Sequence, residues 1–257
     1  MSKPKVAFIS LTSCEGCQMA LIDLGKDFLA LLEYVDIAKH RLIEERKDKK
    51  NNLYDICFIE GSPLYKDNIE ALKDLRKRSK VIVVLGGCAD SGCVYALRNY
   101  TNKEKAARHV YPKSSKTIFN PAVAGISSVI TIDYVLPGCP VTANEFIDFV
   151  TQVIGRGDYK REERPICYEC KKKNNPCLLQ QGLPCLGPCM QGGCEAVCPS
   201  AGMPCQGCRG PLPDAQWDNM EKKLKELLPA KKVNEILEIF GEKERVKSKS
   251  RITKTRN

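Results

Sequence analysis

The chain has only two histidines, His40 and His109, and neither lies beside a CxxC pair. That removes the imidazole half of the common mixed zinc sites. It has no GxGxxG and no GxxxxGK[ST], the glycine-rich loops that cradle nucleotide phosphates. No apolar run approaches the roughly 20 residues needed to span a bilayer. The opening MSKPKVAFIS offers a short apolar run before the polar SLTSCEGC, with neither a signal-peptide core nor a twin-arginine address. These absences predict a cytoplasmic protein with no membrane span. In that reducing compartment clustered cysteines serve metals rather than disulfides. At 257 residues the chain is long enough to bury a core without covalent staples.

The formal charge of +10 invites a nucleic-acid partner. The excess, however, sits in the solvent-type runs RKDKK (46–50) and KERVKSKSRITKTR (243–256), with no interleaved aromatics to stack on bases. Twelve cysteines ligating three clusters of about −2 each would also bring the net charge down to about +4. No nucleic-acid partner is expected.

Residues 1–155 alternate short apolar runs with amphipathic stretches, the pattern of an α/β fold whose parallel sheet is covered by helices. Strands are expected at 6–10, 56–59, 81–85 and 134–136, and helices at 19–32, 69–78 and 143–154. Beyond Gly155 the charged RGDYKREERP reads as a linker, and residues 167–211 are rich in Cys, Gly and Pro with almost no periodicity. Such a segment is not expected to build an apolar core, so something else must order it. From Asp214 two short amphipathic helices, DAQWDNMEKKLKELL and AKKVNEILEIF, lead into the basic end. The organisation is therefore 1–155, 156–213 and a helical tail, 214–257.

What the chain has in abundance is cysteine, fifteen in all, seven of them between residues 177 and 208. Four others follow predicted strands, where an open α/β sheet places its chemistry. Cys14 and Cys17 lie in SLTSCEGC, Cys88 in VVLGGCADSGC and Cys139 in YVLPGCP. Together they supply the four thiolates of a [4Fe–4S] cluster. Cys93 competes with Cys88, which is preferred as nearer the strand end. Cys57, inside DICFIEG, reads as an inert core thiol. The second part holds nine more, enough for two further four-thiolate sites. Taken in order these are Cys167, Cys170, Cys177 and Cys185, then Cys194, Cys198, Cys205 and Cys208, with Cys189 spare. Interleaved ligation through Cys198-Pro199, as in two-cluster ferredoxins, is the alternative, and spacing does not choose between them. Zinc is the bland reading of CxxC pairs. A flavin in the first βα loop is disfavoured because two cysteines occupy the loop's centre.

The stretches SCEGC, FIEGSP, LGGCA, PGCP and CLLQQGLPCLGPCMQGGCEAVCPSAGMPCQGCRGP resemble the small, electron-transferring subunit of nickel–iron hydrogenases. The likeness is to the cytoplasmic multi-subunit kind, sulfhydrogenases and F420- or NAD(P)-linked enzymes, and covers roughly residues 5–212. It implies a flavodoxin-like domain carrying a proximal cluster on Cys14, Cys17, Cys88 and Cys139, followed by a ferredoxin-like iron–sulfur domain. There it implies a distal set of Cys167, Cys170, Cys177 and Cys185 and a medial set of Cys194, Cys198, Cys205 and Cys208, favouring sequential ligation. Periplasmic members have a histidine where this chain has Cys167 and many have a proline at the place of Cys198, so the resemblance implies three all-thiolate [4Fe–4S] clusters. A complex I relative with adjacent cysteines and one cluster lacks this second cysteine-rich region.

The resemblance implies an electron relay between a partner large subunit bearing the NiFe centre and a flavin- or iron–sulfur-containing acceptor subunit. Glu15 and Glu60, in the motif loops, are open to proton handling or subunit docking on one side and to capping or a solvated role on the other. The competing functions are a zinc-stabilised interaction module and a transient iron–sulfur scaffold. Colour separates them: a brown protein that bleaches under dithionite is the expected outcome, whereas a colourless one with stoichiometric zinc fits the module, and iron lost on simple desalting fits the scaffold.

Overall fold

The computed structural model describes residues 3–43, 52–113 and 122–245; the basic run 46–50 and residues 246–257 of the tail lie outside them. Five parallel strands form one sheet: β1 (Lys5–Ser10), β2 (Asp36–His40), β3 (Tyr54–Glu60), β4 (Ser79–Leu85) and β5 (Tyr134–Leu136). Their spatial order is β2-β1-β3-β4-β5, the flavodoxin-like doubly wound arrangement. The helices are α1 (Gly16–Ile22), α2 (Lys26–Leu31), α3 (Lys66–Arg78), α4 (Gly87–Ser91), α5 (Lys103–Val110) and α6 (Ala143–Arg156), then α7 (Ile166–Lys172), α8 (Val197–Ser200), α9 (Trp217–Leu227) and α10 (Ala230–Glu238).

Successive side chains of a strand point to opposite faces, so a central strand apolar at every position feeds two cores. Val6 and Phe8 join Phe58, Val83 and Leu85 on one face, beneath Leu21 of α1, Phe28 of α2 and Phe146 and Phe149 of α6. Ala7 and Ile9 join Cys57, Ile59, Ile82 and Val84 on the other, covered by Leu72 and Leu75 of α3 and by Ile126. The register Val6 to Ile56, Ala7 to Cys57 and Phe8 to Phe58 keeps the two sets apart, and Phe8 stacks on Phe58 with ring centres 4.9 Å apart. Cys57 is a fully buried core residue.

The expected single helix over 19–32 is two short helices. The chain breaks at Gly25, whose φ of +56° is a conformation glycine reaches without strain. β2 and α5 are additions to the expected elements: DIAKH is short and half polar, and KEKAARHV buries none of its residues.

A larger difference lies beyond residue 165. The cysteine-rich stretch, from which no apolar core is expected, shares one with the tail helices. Ile166, Leu178, Leu186 and Met190 pack with Trp217, Met220 and Leu224 of α9 and Val233 of α10. The end of the described chain then returns to the sheet domain. Ser91 donates its hydroxyl to the Phe240 carbonyl at 3.3 Å, and Arg245 pairs with Asp90 at 3.0 Å.

Leu72 is fully buried at the centre of the second core, so Leu72→Ala should cost about 2–5 kcal/mol. Ile154, half exposed on α6, should tolerate alanine within about 0.5 kcal/mol. Chemical denaturation of the two variants checks the contrast.

Candidate metal centre

The carboxyl ends of β1, β3, β4 and β5 are cross-linked loop to loop. Leu11 N–H donates to the Glu60 carbonyl (2.8 Å), Ser62 N–H to that of Thr12 (2.9 Å), and Gly86 and Gly87 N–H to those of Leu136 and Gly138 (both 2.7 Å). The Ser62 hydroxyl donates to the Cys88 carbonyl at 2.8 Å. These bonds hold the cysteine-bearing loops in a fixed relation before any metal is considered.

Glu60 closes this edge from beneath. Its buried carboxylate accepts from the N–H groups of Cys17 (3.1 Å) and Gln18 (3.2 Å) and from the Gln18 side-chain amide (3.2 Å). This is a capping role at the start of α1, satisfying amides that have no partner inside the helix. Glu15 instead pairs at the surface with Arg41 at 3.3 Å.

Around this edge the structure gathers the thiols of Cys17, Cys88, Cys93 and Cys139, with Cys14 beside them. Burial, then the Glu60 carboxylate, raises the Cys17 thiol, and Cys88 and Cys139 add to this. Cys93 lies between Cys88 and Cys139 and shares hydrogen bonds with both; its own thiol is strongly raised, while Cys139 is lowered to about 7 by that bond. The phenol of Tyr95 is raised by burial and then by Cys88 and Cys14. Gly86 is where a side chain is forbidden: at φ +82° its Cβ would lie 2.3 Å from the Cys17 sulfur. Cys14 and Cys139 are exposed, as is Met19, so the group opens to the surface.

A second group forms on and beside α7. Burial, followed by the proximity of Cys185, Cys170 and Cys177, pushes the Cys167 thiol up to about 11. Two of the sulfurs lie beside Gly187: a Cβ there would be in ordinary contact with Cys185 Sγ at 3.4 Å and Cys167 Sγ at 3.5 Å.

Cys194, Cys205 and Cys208 make a third group. Burial raises Cys205 well above its ordinary value and Cys208 to about 11; Cys205 also feels Cys208 and Cys194, and Cys208 feels Cys194. Cys198 follows on α8 and is half-buried. Cys189 stands apart in the third core, its thiol pushed up to about 11 by burial and moderated by the Gln216 backbone N–H.

The three groups meet end to end. The Cys139 backbone amide faces the Cys208 sulfur, and a Cβ at Gly87, beside Cys88, would stand 3.3 Å from the Cys208 carbonyl oxygen, which brings the first group against the third. The Cys205 N–H donates to the Cys185 sulfur at 3.2 Å, joining the third to the second. Among the described residues no three His, Cys, Asp or Glu side chains are placed to hold a single metal ion. Arg209, part of the CQGCRG motif but not singled out in the sequence, is buried among these loops with Glu145.

Residues 14–153 match the family model described as NADH ubiquinone oxidoreductase, 20 Kd subunit. Over 240 residues the chain is 33% identical to the sulfhydrogenase 2 subunit delta of Pyrococcus furiosus, covering 92% of this chain and 99% of that one. The chain belongs to the hydrogenase small-subunit branch of this family. It is also 30% identical to a subunit of the F420-non-reducing hydrogenase of Methanocaldococcus jannaschii, over 80% of this chain and 81% of the relative. Among solved structures it is similar to an NAD+-reducing [NiFe]-hydrogenase in the H2-reduced state, at 28% identity and a TM-score of 0.55, covering 62% of this chain and 96% of that one. The family model stops before α7, whereas the Pyrococcus relative extends across the cysteine-rich part as well. Among the described residues no helix is long and apolar enough to cross a membrane.

Glu60→Gln places an amide NH2 against N–H donors and leaves a buried partner unmet. It should destabilise the hydrogenase subunit by about 1–3 kcal/mol. A denaturation midpoint equal to that of the parent would remove the capping role.

Proposed function

We propose that this hydrogenase small subunit relays single electrons, in the cytoplasm, through three [4Fe–4S] clusters between a NiFe-bearing large subunit and a flavin- or iron–sulfur-containing acceptor subunit. The observation that carries the reading is the end-to-end meeting of three thiol groups through the Cys139 to Cys208 and Cys205 to Cys185 contacts.

The assigned ligands are Cys14, Cys17, Cys88 and Cys139 for the proximal cluster, Cys194, Cys198, Cys205 and Cys208 for the medial, and Cys167, Cys170, Cys177 and Cys185 for the distal. When bound, such a cluster supplies reversible one-electron chemistry. The donor set suits it: soft sulfur ligands, with Cys17, Cys185 and Cys205 buried and backbone N–H groups pointing at the sulfurs of Cys185 and Cys205. The thiols raised by burial hold their protons at neutral pH in the metal-free chain, so loading releases protons and becomes weaker as pH falls.

The labour divides along the chain. Residues 1–155 position the proximal set beside an open surface suited to the large subunit. Residues 156–213 hold the other two sets, and the helices of the 214–257 tail close their core. Backbone N–H bonds to Cys185 and Cys205 favour the charged form of those sulfurs and so tune whatever they ligate. Three sites in series are what a relay requires, since electron transfer weakens steeply with distance.

The test uses the anaerobically purified complex. About twelve iron atoms per small subunit and a paramagnetic signal on reduction are expected. Cys194→Ser should slow hydrogen-driven acceptor reduction by the roughly 10- to 100-fold typical of damage to a metal site. Hydrogen-isotope exchange at the partner's centre should stay near the parent rate. Equal losses in both would refute the relay.

A further inference from the structure

Arg209 is a cation withdrawn from solvent. Its side chain is completely buried, and every branch of the guanidinium is engaged: Nε donates to the Gly192 carbonyl at 2.9 Å, Nη1 to the Pro137 carbonyl at 2.9 Å, and Nη2 to Glu145 Oε1 at 2.8 Å. These acceptors belong to three different places in the chain. Pro137 lies two residues before Cys139, Gly192 two residues before Cys194, and Glu145 on α6; Arg209 itself follows Cys208. The side chain thus occupies the seam between the first and third thiol groups.

The surroundings are shaped to admit it. At Gly193, with φ +114°, a Cβ would stand 2.4 Å from Nη2. The second carboxylate oxygen of Glu145 is buried with no hydrogen-bond partner. A pair arranged purely to fasten two parts together is a costly choice, because desolvating two charges costs several kcal/mol per ion and apolar residues of similar volume often serve as well. The charge is therefore the feature to explain. Burial raises the thiols of Cys194 and Cys208, and Arg209 is among the groups that pull each of them back.

We propose that Arg209 is a positioning residue that raises the reduction potential of the medial cluster and seats that cluster against the Cys139 loop, with Glu145 as the opposing charge that limits the effect. This rests on the relay function proposed for the subunit. A reduced cluster carries one more negative charge than an oxidised one, and a fixed cation in a poorly screened site favours the reduced form. Glu145 works in the other direction, so the pair sets the level between two limits. The planar guanidinium, with one branch on each carbonyl and one on the carboxylate, also fixes the spacing across the seam, which a flexible ammonium would not do.

The experiment is a spectroscopically monitored redox titration of the whole anaerobic complex. Arg209→Gln should move the medial potential downward by at least a tenfold change in its reduction equilibrium, about 59 mV for one electron. Glu145→Gln should move it upward. Arg209→Lys, which keeps the charge, should restore most of the loss seen in Arg209→Gln. If Arg209→Gln fails to retain iron, Glu145→Gln still decides: an upward shift supports the proposal and an unchanged potential overturns it. Three intact clusters with no shift in either glutamine variant would sink the role of Arg209 and leave the relay standing. A parent complex without clusters would sink the relay itself.

Discussion

A parallel sheet sends all of its loops to two edges, and in this chain the carboxyl edge receives the cysteines of β1, β4 and β5 together with the carboxylate that ends β3. Everything later in the molecule is placed relative to that edge. The loops are bonded to each other through Leu11, Ser62, Gly86 and Gly87, and Glu60 ties the start of α1 to the end of β3. The thiols of this edge are thus held by the body of the fold, not by flexible loop tips.

The cysteine-rich part is ordered by other means. It has little regular structure, and its order comes from tight turns and from an apolar core that it completes with α9 and α10. Without Trp217, Met220 and Leu224 the segment around Leu186 and Met190 would expose its apolar side. The two tail helices are therefore part of the body of the protein. The two parts are joined by Arg209 and Glu145 on one side and by Arg245 and Asp90 on another.

Much of this is legible in the sequence, and the exceptions have physical reasons. β3 and β4 are apolar at every central position, so their burial on both faces can be read directly. The family resemblance rests on motifs long enough to be specific. The helix break at Gly25 is hidden because the apolar spacing runs through it. The third core is hidden because its two halves are separated by a stretch with no periodicity, and contacts between distant segments leave no local pattern. The role of Glu60 cannot be assigned from sequence because its partners are backbone amides on α1, and Arg209 sits inside a motif whose cysteines draw the eye. Cys93 competes with Cys88 in the sequence; in the fold it stands with Cys88 and Cys139.

The tie from Arg245 back to Asp90, and from Phe240 to Ser91, also has a temporal meaning. A nascent chain cannot make it until residue 245 has left the ribosome, some 150 residues after its partner. Until that moment the turn from Gly207 to Gly210, against which Glu242 and Arg245 lie, has one wall missing, so the last-made residues finish a surface begun much earlier in the chain.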